Sequence, residues 1–134
     1  MTMRPRVDLA VILSALLLFC SQSAQAGERP YRVTHGNQLD AQSYQGYKLY
    51  RNWCARCHGT YGQGLAGPNL AQSLNKISRD EFMATVIQGK TGRIGNMPAW
   101  KSNAAVMTGI ESIYSYLKAR ADGAIGTVKP QLGK

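Results

Sequence analysis

The residues whose types and spacing most clearly carry chemistry are Cys54, Cys57 and His58, which stand as Cys54-Ala55-Arg56-Cys57-His58, a C-x-x-C-H motif. Two cysteines three apart on one helical turn offer both sulfurs to the same edge of a bound group. The histidine beside them offers a ring nitrogen. This is the attachment signature of c-type haem: the thiols form thioethers with the two vinyl groups, and His58 lies under the iron as proximal ligand. Other uses of the pair fit less well. Zinc needs two more nitrogen or sulfur ligands at suitable spacing, and only His35 is spare. A thioredoxin-like dithiol belongs near a βαβ pattern, and no segment shows sustained period-2 alternation.

A second axial ligand has three methionine candidates after His58: Met83, Met97 and Met107. Met83 follows Phe82 in a short apolar pattern and Met107 precedes a long one, so both read as core. Met97 lies in a loop and is followed by Pro98, which holds the backbone before it extended. A soft thioether opposite His58 gives Met/His ligation, which raises a haem's potential towards electron-transfer use. The alternatives are an iron left five-coordinate, or one bound by Lys90 or Lys101.

The elements that must position these residues are few. Asp40 is a possible N-cap, and Tyr47, Tyr50, Trp53 and Cys54 mark one face of a helix from Ala41 to about Arg56. Gly46 within that helix marks a close helix–helix crossing. Gly59 to Asn75 reads as loop. Ser78 and Glu81 have the form of a capping box ahead of Phe82, Val86 and Ile87, with Gly89 as the stop. Lys90 to Ser102 reads as loop again. Thr108 caps a last helix on which Ile110, Ile113, Tyr114 and Leu117 repeat at helical spacing, and Gly123 closes it. About three helices and long glycine-rich loops make a thin core for a chain this size. A large apolar macrocycle would supply what is missing.

The chain has 134 residues, enough for one domain and too few for a two-domain nucleotide enzyme or an eight-fold barrel. Its first 26 residues read as an export signal. Arg4 and Arg6 form the positive region, Leu9–Phe19 an 11-residue apolar run too short to span a bilayer, and Ala24-Gln25-Ala26 the cleavage site before Gly27. An uncleaved anchor is the alternative, and a lipid-modified Cys20 is disfavoured by the bulky Phe19 before it. Cleavage leaves 108 residues. It takes away Arg4, Arg6 and Asp8 and reduces the formal charge from +9 to +8. It also removes Cys20, so the odd cysteine count becomes the pair Cys54 and Cys57. In an oxidising periplasm such a pair implies catalysis, metal binding or covalent use. Residues 27–39 read as an extended leader, 40–123 as the domain, and 124–134 as a Gly/Pro/Lys tail.

Three motifs in order, C-A-R-C-H (Cys54–His58), G-P-N-L (Gly67–Leu70) and N-M-P-A-W (Asn96–Trp100), resemble a class I monohaem cytochrome c over about residues 41–121. The resemblance implies an all-α fold of three to four helices around one covalently attached haem c. It implies that Cys54 and Cys57 form the thioethers and that His58 and Met97 are the axial ligands. It further implies that the Pro68 carbonyl accepts from the haem histidine's Nδ1–H and that Leu70 touches the haem face. Trp53 and Trp100 read as core or haem-packing aromatics. Gly46 and Tyr50 match positions of the family's N-terminal helix that cross its C-terminal helix, and Tyr114 and Leu117 match on the other side. Asn37–Tyr47, Ser78–Phe82 and Ile113–Gly123 resemble periplasmic cytochromes that serve PQQ-dependent alcohol dehydrogenases. One departure is Ala99, where relatives often have a second proline.

The expected function is therefore a periplasmic one-electron carrier and not an enzyme. Its donor would be a PQQ-dependent dehydrogenase oxidising methanol, ethanol or a similar alcohol, and its acceptor another cytochrome or an oxidase. A general carrier for some other periplasmic dehydrogenase is the runner-up. A haem sensor or enzyme with an open iron would require that Met97 not bind. The scattered basic residues contain no dense run or stacking platform, so no nucleic-acid partner is expected, nor a stable membrane anchor, and the chain should be a monomer. Lys48, Arg51, Arg56, Lys90, Arg93 and Lys101 lie in or beside the haem-lining segments and could form a basic ring for an acidic partner.

Overall fold

The computed structural model describes residues 29–92 and 95–134. The signal segment, Gly27 and Arg93 lie outside the described residues.

Asp40 begins helix α1 (Ala41–Trp53) as expected: its carboxylate accepts from the Ser43 N–H at 3.0 Å and the Ser43 hydroxyl at 2.7 Å. The helix stops at Trp53 rather than running on to Arg56. A separate turn, α2 (Ala55–His58), carries most of the C-x-x-C-H motif. The stretch from Gly59 to Asn75 is loop except for α3 (Leu70–Ser73), a short helix capped by Asn69. Ser78 accepts from the Glu81 N–H at 3.1 Å and opens α4 (Arg79–Gln88), which ends at Gly89 with φ 75°.

The last helix, α5 (Ala104–Ala121), corrects the expected start. Asn103, not Thr108, is the cap, accepting from the Val106 N–H at 3.0 Å. The first turn is masked in the sequence because Ala104 and Ala105 are exposed and add nothing to the apolar period.

Helices α1 and α5 cross where both lose their side chains. A Cβ on Gly46 would lie 1.7 Å from the Ser112 carbonyl oxygen, and one on Gly109 would lie 2.1 Å from Leu49 Cδ1. The buried stripe of α5 is Val106, Gly109, Ile113, Tyr116, Leu117 and Arg120. Tyr116, rather than the expected Tyr114, meets α1. Its ring stands 5.3 Å from Tyr47 and 5.4 Å from Tyr50. Tyr114 packs on Phe82 of α4 instead, at 5.3 Å. Each large apolar side chain fully buried in this seam contributes roughly 1.5–3 kcal/mol.

The flanks are built into the domain. β1 (Val33–Thr34) and β2 (Gln38–Leu39) form an antiparallel hairpin, and β5 (Gln131–Leu132) adds to β2 in parallel. Tyr31 and Leu39 from the leader and Ile125 and Pro130 from the tail are buried. The Tyr31 hydroxyl donates to Asp122 at 2.8 Å, which ties the leader to the end of α5. A second small ladder pairs β3 (Lys90–Thr91) with β4 (Asn96–Met97). The class is all-α, with five helices and only two-residue strands among the described residues. No described helix is long and apolar enough to cross a membrane.

Candidate haem-binding site

The break between α1 and α2 places the motif. The Cys54 N–H still bonds the Tyr50 carbonyl at 2.9 Å, while the Cys54 carbonyl accepts from Cys57 and His58 at 3.2 and 3.0 Å. Cys54, Cys57 and His58 therefore share one tight turn. Gly59, at φ 81°, then swings the chain away. Both cysteines are free thiols, Cys54 half-buried and Cys57 exposed. Burial pushes the Cys54 thiol up to about 12, and the neighbouring Cys57 acts in the same direction.

His58 is only 6% exposed, and its ring is held on one side. Nδ1 lies 2.9 Å from the Pro68 carbonyl oxygen. A carbonyl only accepts, so Nδ1 carries the proton and Nε2 keeps its lone pair for a metal. Gly67 makes the approach possible: a Cβ there would sit 2.8 Å from His58 Cε1 and 2.9 Å from Nδ1. The loop is laced to the turn through Gly64 N–H to the His58 carbonyl (2.8 Å) and Gly67 N–H to the Cys57 carbonyl (2.7 Å). Leu70 is half-buried at the head of α3, its N–H bonded to the Gly62 carbonyl at 2.8 Å.

Met97 is half-buried in β4, so the expected loop includes a short strand, with Lys90 opposite Met97 in the ladder. The end of α4 holds this segment. A Cβ on Gly89 would meet the Met97 carbonyl oxygen at 2.6 Å, and the Trp100 and Lys101 N–H groups bond the Val86 and Ile87 carbonyls at 3.0 and 3.3 Å. Trp100 is half-buried and stands edge-on to Trp53 at 5.9 Å, which links the end of α1 to the methionine segment. Met83 and Met107 pack half-buried against the core, in keeping with the core reading. Lys90 and Lys101 are exposed, and Lys90 lies 3.8 Å from Glu81. His35 sits in the β1–β2 turn, and no group of three or more His, Cys, Asp or Glu gathers among the described residues.

Two contributors escape a reading of the sequence. The Tyr50 hydroxyl donates to the Gly59 carbonyl, directly after His58. Arg120, on α5, donates from Nε to the Tyr61 carbonyl at 2.9 Å. The first bond links α1 to the chain just past the motif, and the second joins residues 59 apart in sequence, which no local pattern announces.

Residues 41–117 match the family described as cytochrome c oxidase, cbb3-type, subunit III. Cytochrome c-555 of Methylococcus capsulatus is 38% identical over 89 residues, covering 65% of this chain and 69% of that protein. The chain belongs to the c-type cytochromes. Cytochrome c-551 of Bacillus subtilis is 33% identical, covering 64% of this chain and 70% of its own length. The crystal structure of the c-type cytochrome XoxG from Methylobacterium extorquens AM1 superposes with a TM-score of 0.73 at 36% identity. It covers 78% of this cytochrome and 66%, just under two thirds, of that chain. The cofactor of the cytochrome is accordingly one covalently bound haem c, and its activity is electron transfer rather than catalysis. The residues present fit the group: two thiols not spent on a disulfide, an imidazole with Nε2 free, and a glycine where a methyl would collide with the ring.

Proposed function

We propose that this cytochrome is an exported carrier in the periplasm that takes single electrons from a PQQ-dependent alcohol dehydrogenase and passes them to another cytochrome or a terminal oxidase. In this reading residues 1–26 are a cleaved signal, and 40–123 carry the haem, with the leader and the tail packed against that part of the chain. Cys54 and Cys57 form the thioethers. His58 and Met97 are the axial ligands, with Pro68, Leu70 and Trp100 lining the pocket.

The observation that carries the site is the Nδ1–H bond from His58 to Pro68, which aims Nε2 and fixes the tautomer a metal ligand needs. When bound, the haem supplies a reversible one-electron couple. The protein's residues hold that group and limit water's access to it. Gly67 and Pro68 support the histidine, and the end of α4 braces the methionine segment. With His58 and Met97 both holding the iron, no open site would be left for oxygen chemistry, which would set the carrier apart from an open-iron sensor or enzyme. Met97→Ala should abolish the sulfur-to-iron charge-transfer band of the oxidised protein. An unchanged band would remove Met97 from the ligand set.

The donor assignment is supported by the sequence resemblance at Asn37–Tyr47, Ser78–Phe82 and Ile113–Gly123. An oxidase on the acceptor side is supported by relatives named as cbb3-type cytochrome c oxidase subunits, CcoP of Rubrivivax gelatinosus among them, although the chain spans only 29% of that protein. Leu65, 76% exposed at the tip of the loop that carries Pro68, offers an apolar contact for a transient partner. The deciding experiment mixes the oxidised holoprotein with purified quinoprotein dehydrogenases and alcohol and follows haem reduction. Reduction by one of them supports the assignment. No reduction by any would remove the donor and leave the carrier.

A further inference from the structure

Arg120 is 8% exposed, and every partner it has is uncharged. Nε donates to the Tyr61 carbonyl at 2.9 Å, one terminal nitrogen to the Ile125 carbonyl at 2.9 Å, and the other to the Thr127 hydroxyl at 3.0 Å. The carboxylates of the described residues are engaged elsewhere. Asp122 takes Tyr31 and Lys118, Glu111 and Asp80 take Arg79, Glu81 lies nearest Lys90, and Asp40 caps α1. The guanidinium is thus well hydrogen-bonded but not neutralised. A cation in that state keeps a long-reaching field, because neither solvent nor a counter-charge screens it.

Its position gives that field a target. Tyr61, which it grips, belongs to the loop that ends in Gly67 and Pro68 behind His58. The neighbouring phenols of Tyr50 and Tyr116 feel its charge, which works against the upward push of their burial. The Tyr50 hydroxyl bonds the Gly59 carbonyl next to His58. Arg120 therefore stands on the histidine side of the site, one layer behind the loop.

We propose that Arg120 is a fixed positive charge that raises the reduction potential of the bound haem while its fork pins the histidine loop to α5 and the tail. Taking up an electron lowers the charge of the site by one, and a buried cation nearby favours that reduced form. Arginine suits the task, because its planar fork reaches three acceptors that an ammonium could not span together. The inference rests on the haem alone and holds whichever dehydrogenase supplies the electrons.

A purely structural clamp makes the opposite forecast for one variant. Thr127→Asp puts a carboxylate where the hydroxyl now meets the guanidinium. A clamp would be tightened and the potential left alone, whereas a field-setting charge would be neutralised and the midpoint potential would fall with the fold intact. Spectroelectrochemical midpoints of the holoprotein, read beside urea-denaturation midpoints, separate the two. Arg120→Gln should also lower the potential, and Arg120→Lys should hold it near the wild-type value although both lose stability. Potentials equal to wild type in both Thr127→Asp and Arg120→Gln would overturn the proposal. Should Arg120→Gln fail to retain haem, Thr127→Asp decides alone.

Discussion

Gly67 carries no side chain, and the orientation of His58 depends on that. Gly67→Ala would place a methyl about 3 Å from the imidazole and force the ring or the loop to move, weakening the bond to Pro68. That bond lends the ring electron density and so favours the oxidised metal. The variant should therefore show a raised midpoint potential and a weaker hold on the histidine, both measurable by spectroelectrochemistry. Asp40 makes a second prediction. Burial alone would raise its carboxyl, but hydrogen bonds from Arg32, Ser43 and Gln42 outweigh that and hold it below the ordinary 3.8. A depressed folded value means that its stabilisation is complete above the ordinary pKa and is withdrawn as pH falls through the folded one. The melting temperature of the holoprotein should drop below about pH 4. Asp40→Ala should cost about 1 kcal/mol at neutral pH and flatten that acid limb.

Among the elements, the α1–α5 crossing has the least slack. Gly46→Ala would drive a methyl into the Ser112 backbone, which cannot yield as a flexible side chain can. A loss of roughly 3 kcal/mol or more is expected in chemical denaturation. Gly109→Ala should cost less, because the tip of Leu49 can rotate. The sequence displays some of these elements and hides others. Asp40, Ser78, Gly89 and Gly123 act within a few residues of themselves, and all four boundaries are legible. The start of α5 is not, because Asn103 precedes exposed alanines. Tyr116 is passed over in favour of Tyr114 because the true stripe runs through Gly109, which has no hydrophobicity to register, while α4 claims Tyr114. C-x-x-C-H, by contrast, is written contiguously, since its chemistry demands one turn of chain. Arg120 stays invisible, because its importance comes from the tail and the loop that meet it.

For the whole molecule, the distribution of charge matters more than its sum. Residues 41–79 and 82–110 hold the haem motif and the methionine segment, and neither stretch contains an acidic residue. Lys48, Arg51, Arg56 and Lys101 in those stretches are exposed. Described carboxylates lie instead at Asp40, on α4, on α5 and at its end. An acidic donor would be drawn to the haem-bearing side and its association slowed by screening. The second-order rate of reduction by an acidic protein donor should fall steadily as salt rises from 10 mM to about 0.3 M, as stopped-flow absorbance would show. A rate indifferent to salt would remove the steering.

The crossing of α1 with α5 also sets an order of events while the chain is being made. His58 emerges from the ribosome 46 residues before Ala104, the first residue of α5. At about 5–20 residues per second that is a wait of roughly 2 to 9 seconds. Leu117 and Arg120, which bear on the Gly59–Asn69 loop from α5, arrive later still. Until they do, α5 does not brace the loop behind the turn that bears Cys54 and Cys57. Cys57 stays exposed and Cys54 half-buried in the complete fold, so one thiol of the pair remains open to the cofactor after the last helix has docked.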